Sequence, residues 1–175
     1  MKKLALLFCV IFTLIMLSAC NEDSSNDNST TDSKSDFSVK MVTDTSGVDD
    51  KSFNESAWEG LKKFEKDFGA EVGYLQSGSQ ADFLPNLTTL AREGTSLSLG
   101  VGFLMEDDVR TVALQYPDSN FAIVDAVIKD QDGNPIPNIA NISFAEHEGS
   151  FLVGLIAGLQ TNTNKVGFMV GLKVI

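Results

Sequence analysis

Two aspartates, Asp44 and Asp125, each follow an apolar run that the sequence predicts to be a β-strand. Residues 37–41 alternate apolar and polar side chains, and residues 121–124 are apolar throughout, as expected of a parallel strand covered on both faces. In an open α/β sheet the carboxyl ends of parallel strands meet at one edge, where ligands bind. A carboxylate at such a strand end either caps a helix or accepts hydrogen bonds from a ligand. The pattern leaves both roles open.

The loop after Asp44 leads into a predicted amphipathic helix, and Ser52, Phe53 and Asn54 stand at its start. Asp50 or Ser52 can cap the amides that the first turn leaves unpaired. An aromatic side chain at the first helical position either packs into the core or contacts a ligand at the sheet edge. The apolar stripe recurs at steps of four, four, three and four residues: Phe53, Ala57, Leu61, Phe64 and Phe68.

The rest of the chain alternates predicted strands and helices. The sequence predicts strands over 71–75, 97–103, 121–124, 139–144 and 166–170, and helices from Asp82 to Gly94, over 106–116 and over 148–160. Gly102 lets the backbone approach a ligand or the next helix, and Gly154 and Gly158 favour close packing of the last helix. This order predicts an α/β fold with a doubly wound parallel sheet.

The composition of the chain argues against several kinds of partner and metal site. Hydrophobic residues make up 43% and charged residues 21% of the 175 residues, as in an ordinary globular protein. The formal charge is −11, and loss of Lys2 and Lys3 with a leader gives −13, so nucleic acid and anionic membrane surfaces are not expected partners. His147 is the only histidine and no cysteine follows Cys20, so the sequence offers neither a disulfide nor a histidine-rich metal site to a folded domain. We therefore expect no cofactor.

The first twenty residues have the pattern of a secretory leader. Lys2 and Lys3 precede an apolar run over 4–17, which is too short for a comfortable membrane span, and small residues follow it. Leu17-Ser18-Ala19-Cys20 resembles the lipobox of bacterial lipoproteins, in which the cysteine is acylated; the alternative is an ordinary signal with an incidental Cys20. Residues 21–36 contain no apolar side chain and are predicted to form a flexible tether.

Residues 42–60, VTDTSGVDDKSFNESAWEG, resemble the opening signature of the basic membrane protein family of bacterial lipoproteins. The resemblance continues through Gly102-Phe103, Val124-Asp125 and residues 148–151 and 164–168, and it covers about 38–171. Members of this family are substrate-binding components of ABC transporters, and they include purine nucleoside receptors. The resemblance implies a protein that is not an enzyme, held at the extracytoplasmic face of the cell membrane through Cys20, with a permease as partner.

The resemblance also implies a site. In the purine nucleoside receptors of this family, an aspartate at the position of Asp44 and another near Asp125 contact the ligand, and an aromatic ring at the position of Phe53 stacks on the base. The implied ligand-binding residues are Asp44, Ser52, Phe53, Asn54, Gly102 and Asp125, and the implied ligand is a purine nucleoside.

The implied architecture is a first lobe of the type I periplasmic-binding-protein kind. We expect residues 1–20 to be the signal peptide, 21–36 the tether, 37–162 the ligand-binding lobe and 163–175 the start of a truncated second lobe. A cleft between lobes needs both walls, so we expect this chain alone to bind weakly or not at all and to expose apolar surface around 166–170.

Two other functions stay open. Carboxylates at strand ends could perform acid–base chemistry in an extracytoplasmic enzyme, and turnover of a purine nucleoside would decide for it. A surface lipoprotein antigen, or a truncated remnant that keeps the fold and has lost the ligand, would show no thermal shift with any nucleoside.

Overall fold

The computed structural model describes residues 36–168, whose strands form one five-stranded sheet. All four strand pairs are parallel, in the order β2-β1-β3-β4-β5. The strands are β1 (Ser38–Val42), β2 (Glu71–Leu75), β3 (Leu97–Val101), β4 (Phe121–Val124) and β5 (Ile139–Ile142). The predicted doubly wound α/β fold is confirmed. Two strands end two residues earlier than the sequence predicts, at Val101 and Ile142.

In the described residues, four α-helices alternate with the strands. They are α1 (Phe53–Phe68), α2 (Phe83–Arg92), α3 (Glu106–Gln115) and α4 (Glu146–Gln160), with short 3-10 turns at Gln80–Asp82 and Phe103–Met105. Gly69 closes α1 in the left-handed conformation, with φ of 67°, and its N–H donates to the carbonyl of Glu65. A glycine adopts this conformation without a Cβ clash, so the predicted stop at Gly69 is confirmed.

The strand order reverses between β1 and β3. The chain leaves β1 through α1 to reach β2 on one side, and then returns through α2 to β3 on the other side of β1. The loops that follow β1 and β3 therefore diverge, and they leave a crevice at the carboxyl ends of these two strands. In open α/β sheets this switch point is where ligands bind.

Alternation of side chains along the strands builds one core on each face of the sheet. On one face Met41, Leu99 and Ala122 pack with α1. On the other face Phe121 and Ile123 pack with α2 and α3, and a larger set of buried residues joins them: Val42, Phe83, Leu87, Leu90, Met105, Val109, Val112, Ile128, Ile136 and Ile139. These two layers fix the sheet edge from which the site projects.

Helix α4 is exposed along its whole length. Its large apolar side chains stay in solvent, Phe151 at 70% and Leu159 at 75% exposure. Cβ atoms built on Gly154 and Gly158 would meet no atom within 4 Å, so the expected close packing of this helix was wrong for the described part of the chain. The physical reason is that no other described element covers α4, so its apolar side chains have no surface to pack against.

Two sets of predictions fall at the ends of the chain. The predicted signal peptide, the acylated Cys20 and the tether up to residue 35 lie outside the described residues, as does the chain after residue 168. Residues 166–168 form no strand, and Val166 and Phe168 are 63% and 88% exposed, so the expected apolar exposure is confirmed there. Between residues 36 and 168, no helix combines the length and the hydrophobicity needed to cross a membrane.

Candidate functional site

A cavity of about 240 Å³ lies at the carboxyl ends of β1, β3 and β4. It therefore occupies the switch point of the sheet, where the topology leaves room for a ligand. Its lining consists of two carboxylates, two aromatic side chains, one glycine and one leucine: Asp44, Phe53, Gly102, Phe103, Leu104 and Asp125. Four of the six residues predicted to bind ligand thus line one cavity, although they come from three separate loops.

Asp44 lies two residues beyond β1, and the two oxygens of its carboxylate have different surroundings. Oδ1 accepts hydrogen bonds from the Ser46 N–H at 2.7 Å and from Nδ2 of Asn54 at 2.8 Å. Oδ2 faces Gly102, because a Cβ built on that glycine would lie 4.0 Å from it. One oxygen is therefore held by the protein while the other is directed to the cavity.

Phe53 is half-buried at the first position of α1. Part of its ring packs on the α1 face of the core, and its edge lies 3.7 Å from a Cβ built on Gly102. The two interpretations of this ring, core residue and ligand contact, are thus compatible in geometry. Gly102 has φ of 112°, which L side chains rarely adopt, and its lack of a side chain keeps the space between the ring and Asp44 open.

Asp125 follows β4 in a left-handed backbone conformation, with φ of 70°. Its N–H donates to the carbonyl of Ile142 at 2.7 Å, which ties this corner to the end of β5. Burial raises the pKa of the Asp125 carboxyl, and the charge of Glu146 and a hydrogen bond to it raise the pKa further. Glu146 begins α4, so the start of that helix adjoins the cavity.

Ser52 and Asn54 do not line the cavity. The Ser52 side chain is exposed and makes no helix-capping hydrogen bond. Asn54 is fully buried, and its amide donates to Asp44 and to Oδ2 of Asp50 at 2.9 Å. The geometry therefore places Asn54 behind Asp44 and outside the lining of the cavity.

Asp50, and not Ser52, caps α1. Its carboxylate accepts hydrogen bonds from the N–H groups of Ser52 at 2.9 Å, Asn54 at 2.9 Å and Glu55 at 3.1 Å. Burial acts to raise the pKa of Asp50, but these backbone hydrogen bonds outweigh it and hold the pKa at about 2. Of the two capping residues that the sequence left open, the structure selects Asp50.

Phe103 and Leu104 also line the cavity, and sequence reasoning did not single them out. The predicted strand ran through Phe103, whereas β3 ends at Val101 and the chain turns at Gly102 into the 3-10 segment. The available signal was the glycine itself, since a strand that meets a glycine with positive φ turns there and exposes the next residues at the sheet edge.

Two larger cavities, of about 530 and 520 Å³, lie against α4. They are lined mainly by small and apolar residues of that helix, such as Gly149, Val153 and Leu152. They belong to the uncovered surface of α4, and neither contains the convergent carboxylates and ring that mark the cavity at the switch point.

The doubly wound sheet, with a small polar and aromatic cavity at its switch point, defines an α/β domain of the small-molecule-binding class. Residues 37–174 match the family described as ABC transporter substrate-binding protein PnrA-like. The chain belongs to this family, and the resemblance seen in the sequence is confirmed. The family is named for binding a substrate and not for a catalytic activity.

Curated relatives extend the comparison. The chain is 48% identical over 171 residues to the CD4+ T-cell-stimulating antigen of Listeria innocua, covering 94% of this chain and 46% of that protein. It is 40% identical over 144 residues to the ABC transporter nucleoside-binding protein BmpA of Lactococcus lactis, covering 80% of this chain and 40% of that protein. The chain thus spans less than half the length of these relatives.

Solved structures agree with the fold. An ABC transporter system solute-binding protein from Aeropyrum pernix K1 superposes with a TM-score of 0.64 at 32% identity, covering 70% of this chain and 32% of that one. A putative lipoprotein fragment from Peptoclostridium difficile 630 has a TM-score of 0.54 at 30% identity, covering 71% of this chain and 99% of that one.

Proposed function

We propose that this chain forms the first lobe of a lipid-anchored, extracytoplasmic binding protein that captures a purine nucleoside and delivers it to an ABC permease. The observation that carries the proposal is the meeting of Asp44, Phe53, Gly102 and Asp125 around one cavity at the switch point. The name of the Lactococcus lactis relative, a nucleoside-binding protein, supports the same ligand class.

The chemistry of the lining fits a flat, uncharged heterocycle joined to a sugar. Stacking of a base on an aromatic ring contributes about 1–3 kcal/mol, and Phe53 presents part of its ring to the cavity. The free oxygen of Asp44 and the carboxylate of Asp125 accept hydrogen bonds from ring N–H groups and ribose hydroxyls. Hydrogen bonds to ionised carboxylates are about twice as strong as those between neutral groups.

The same carboxylates act against anionic ligands. Asp44, Asp125 and the adjoining Glu146 carry the charge around the cavity, and none of the three forms a salt bridge within residues 36–168. A phosphorylated nucleoside would bring further negative charge into this field and be repelled. The uncharged nucleoside is therefore the proposed ligand.

The cavity provides one wall of the proposed cleft. Its volume of about 240 Å³ is below the range of about 300–1,000 Å³ that is usual for ligand pockets. In the proposed mechanism a second wall, corresponding to the remaining half of the longer relatives, closes on the ligand by a hinge motion. We expect this chain alone to bind a nucleoside more weakly than a full-length relative does.

The deciding experiment is isothermal titration calorimetry with inosine, guanosine, adenosine and cytidine, for this chain and for the full-length Lactococcus lactis relative in parallel. Phe53→Ala is expected to weaken binding of the purine nucleosides about fivefold to 150-fold, as loss of a stacked ring does. Phe68→Ala is the matched control, because Phe68 ends the same helix with 65% of its surface exposed. Equal affinities of the two variants would remove Phe53 from the site.

The anchor is tested separately. We expect metabolic labelling with a palmitate analogue to modify the wild-type chain and Cys9→Ser but not Cys20→Ser, because acylation is proposed at the lipobox cysteine alone. Lipid incorporation that survives Cys20→Ser would refute the proposed anchor without affecting the proposed ligand.

A second candidate function is a surface lipoprotein that no longer binds a ligand. The relative from Listeria innocua, named for stimulation of T cells, favours it. A thermal shift of this chain with any nucleoside would exclude this candidate, whereas the absence of a shift in both this chain and the full-length Listeria innocua relative would favour it over transport.

A further inference from the structure

The buried amide of Asn54 connects the carboxylate of Asp44, at the start of the loop that precedes α1, with the carboxylate of Asp50 near the end of that loop. Nδ2 donates to Oδ1 of Asp44 at 2.8 Å and to Oδ2 of Asp50 at 2.9 Å, while Oδ1 of Asn54 accepts the Asp44 N–H at 3.1 Å. Ionised carboxylates only accept hydrogen bonds, so the two partners fix which end of the amide is nitrogen. Both amide hydrogens are engaged, and the side chain is 0% exposed.

We infer that Asn54 is a positioning residue of the ligand site, which holds Asp44 with one oxygen toward the cavity and ties it to the start of α1. This inference rests on the proposed function, because Asp44 is taken there as a ligand contact. It also revises the role that the resemblance implies for Asn54, since an amide with no free hydrogen has no donor left for a nucleoside.

The network fixes the distance between two proposed ligand-binding side chains, Asp44 and Phe53. Asp44 follows β1 and Phe53 begins α1, and the loop between them contains Gly47 and Lys51 with positive φ. Asn54 directly follows Phe53, and its amide grips Asp44 across the loop. The ring and the carboxylate are therefore held at one spacing before any ligand arrives, and such preorganisation raises affinity by reducing the ordering that binding requires.

Asp50 ties the network to the start of α1. Its carboxylate accepts hydrogen bonds from the backbone N–H groups of Ser52, Asn54 and Glu55 and from the side-chain amide of Asn54. Without the two N–H donors of Asn54, the carboxylates of Asp44 and Asp50 would face each other with no hydrogen between them. Asp44 would then lose the side-chain donor that orients Oδ1 and would turn away from Asp50, which weakens its bond to a ligand.

The test is a double-mutant cycle in the full chain, with inosine as the probe and affinity measured per folded molecule. Asn54→Ala is expected to weaken inosine binding about tenfold or more, as loss of a hydrogen bond to a charged group does. Asn54→Ala combined with Asp44→Ala is expected to bind no more weakly than Asp44→Ala alone. If Asn54→Ala does not fold, the hydrogen exchange of the Asn54 side-chain amide, measured with Asn54 in place, decides instead.

Asn138→Ala is the matched control. The side-chain amide of the native Asn138 donates to the carbonyls of Ala113, Tyr116 and Ser119. Asn138 directly precedes β5, so it lies at the amino end of that strand, away from the carboxyl edge that carries the cavity. The substitution is expected to lower stability and leave inosine affinity unchanged. Additive losses from Asn54→Ala and Asp44→Ala would mean that Asn54 contacts the ligand independently, and an unchanged affinity of Asn54→Ala would mean that it does not act on the site. Either result overturns the inference.

A measurement without ligand separates this inference from the proposed function. If the wild-type chain does not bind inosine, hydrogen exchange of the Asn54 side-chain amide, followed by NMR, decides the matter. We expect slow exchange in the wild type and in Asn138→Ala, and faster exchange in Asp44→Ala. Equal exchange in the wild type and Asp44→Ala would overturn the inference, whatever the chain binds.

Discussion

Neutralisation of Asp50 is expected to change how stability responds to acid. The Asp50 carboxylate caps α1 through three backbone N–H groups, and its pKa is about 2 in the folded protein against an ordinary value of 3.8. Because the pKa is lower in the folded state, the carboxylate stabilises the fold above pH 3.8. This stabilisation is lost as the pH falls toward 2 and the carboxylate is protonated.

The magnitude follows from the two pKa values. Their difference corresponds to roughly 2 kcal/mol at about 1.36 kcal/mol per pKa unit. Asp50 is only partly buried, so solvent screening reduces the expected contribution to about 1–2 kcal/mol. That range agrees with the cost of about 0.5–2 kcal/mol for removing a helix N-cap.

Urea unfolding near pH 7 and near pH 3, followed by circular dichroism, measures this contribution. Asp50→Asn is expected to be about 1–2 kcal/mol less stable than the wild type near pH 7, and to lose less stability than the wild type on acidification. Asp49→Asn is the matched control, because it removes the same charge from an exposed neighbour in the same loop. If Asp50→Asn retained the full acid dependence of the wild type, the assignment of the cap and of its lowered pKa would be refuted.

Two further predictions concern the cavity lining. Gly102→Ala is expected to destabilise the fold by about 1–3 kcal/mol, because alanine is strained at φ of 112°. Gly60→Ala, in the open middle of α1, is the control and is expected to stabilise the fold by about 0.5–1 kcal/mol in the same urea assay. Equal effects of the two substitutions would contradict this reasoning. Glu146→Gln removes the charge that helps to raise the pKa of Asp125, so the NMR titration midpoint of the Asp125 carboxyl is expected at lower pH than in the wild type, and an unchanged midpoint would disprove the contact. If ionised Asp125 accepts a hydrogen bond from the ligand, affinity falls as the pH drops through its raised pKa, and Glu146→Gln retains affinity to lower pH.

The elements of the fold were largely predictable because each has a local cause. The step of three and four residues between apolar side chains defined α1, and Gly69 marked its end. Strand ends were harder to place: β3 was predicted to run through Phe103, but it ends before Gly102, where the backbone turns. Phe103 extends the apolar pattern of the strand in the sequence, although the extended backbone conformation has already ended at Val101.

For the candidate site, sequence reasoning predicted which residues lie together at the sheet edge but not all of their contacts. Asp44, Phe53, Gly102 and Asp125 were predicted to meet at one edge, and the structure brings them to one cavity. Asn54 was grouped with them because it stands beside Phe53 at the start of α1, at the same predicted edge of the sheet. Its burial and its two carboxylate partners depend on the path of the loop from Asp44 back to α1, which no spacing in the sequence encodes.

The sequence alone predicted the order of strands and helices and a parallel sheet, because hydrophobic period is a local property and β-α-β connections join parallel strands. The tertiary structure decided which strands pair, including the parallel pair of β4 and β5, which no helix connects. Only the tertiary structure decided which oxygen of Asp44 faces the cavity, that Asp50 caps α1, and that Glu146 adjoins Asp125. These facts depend on contacts between segments far apart in the chain or joined by irregular loops. Such contacts are set by the packing of the whole sheet, and so they appear only when the chain is folded.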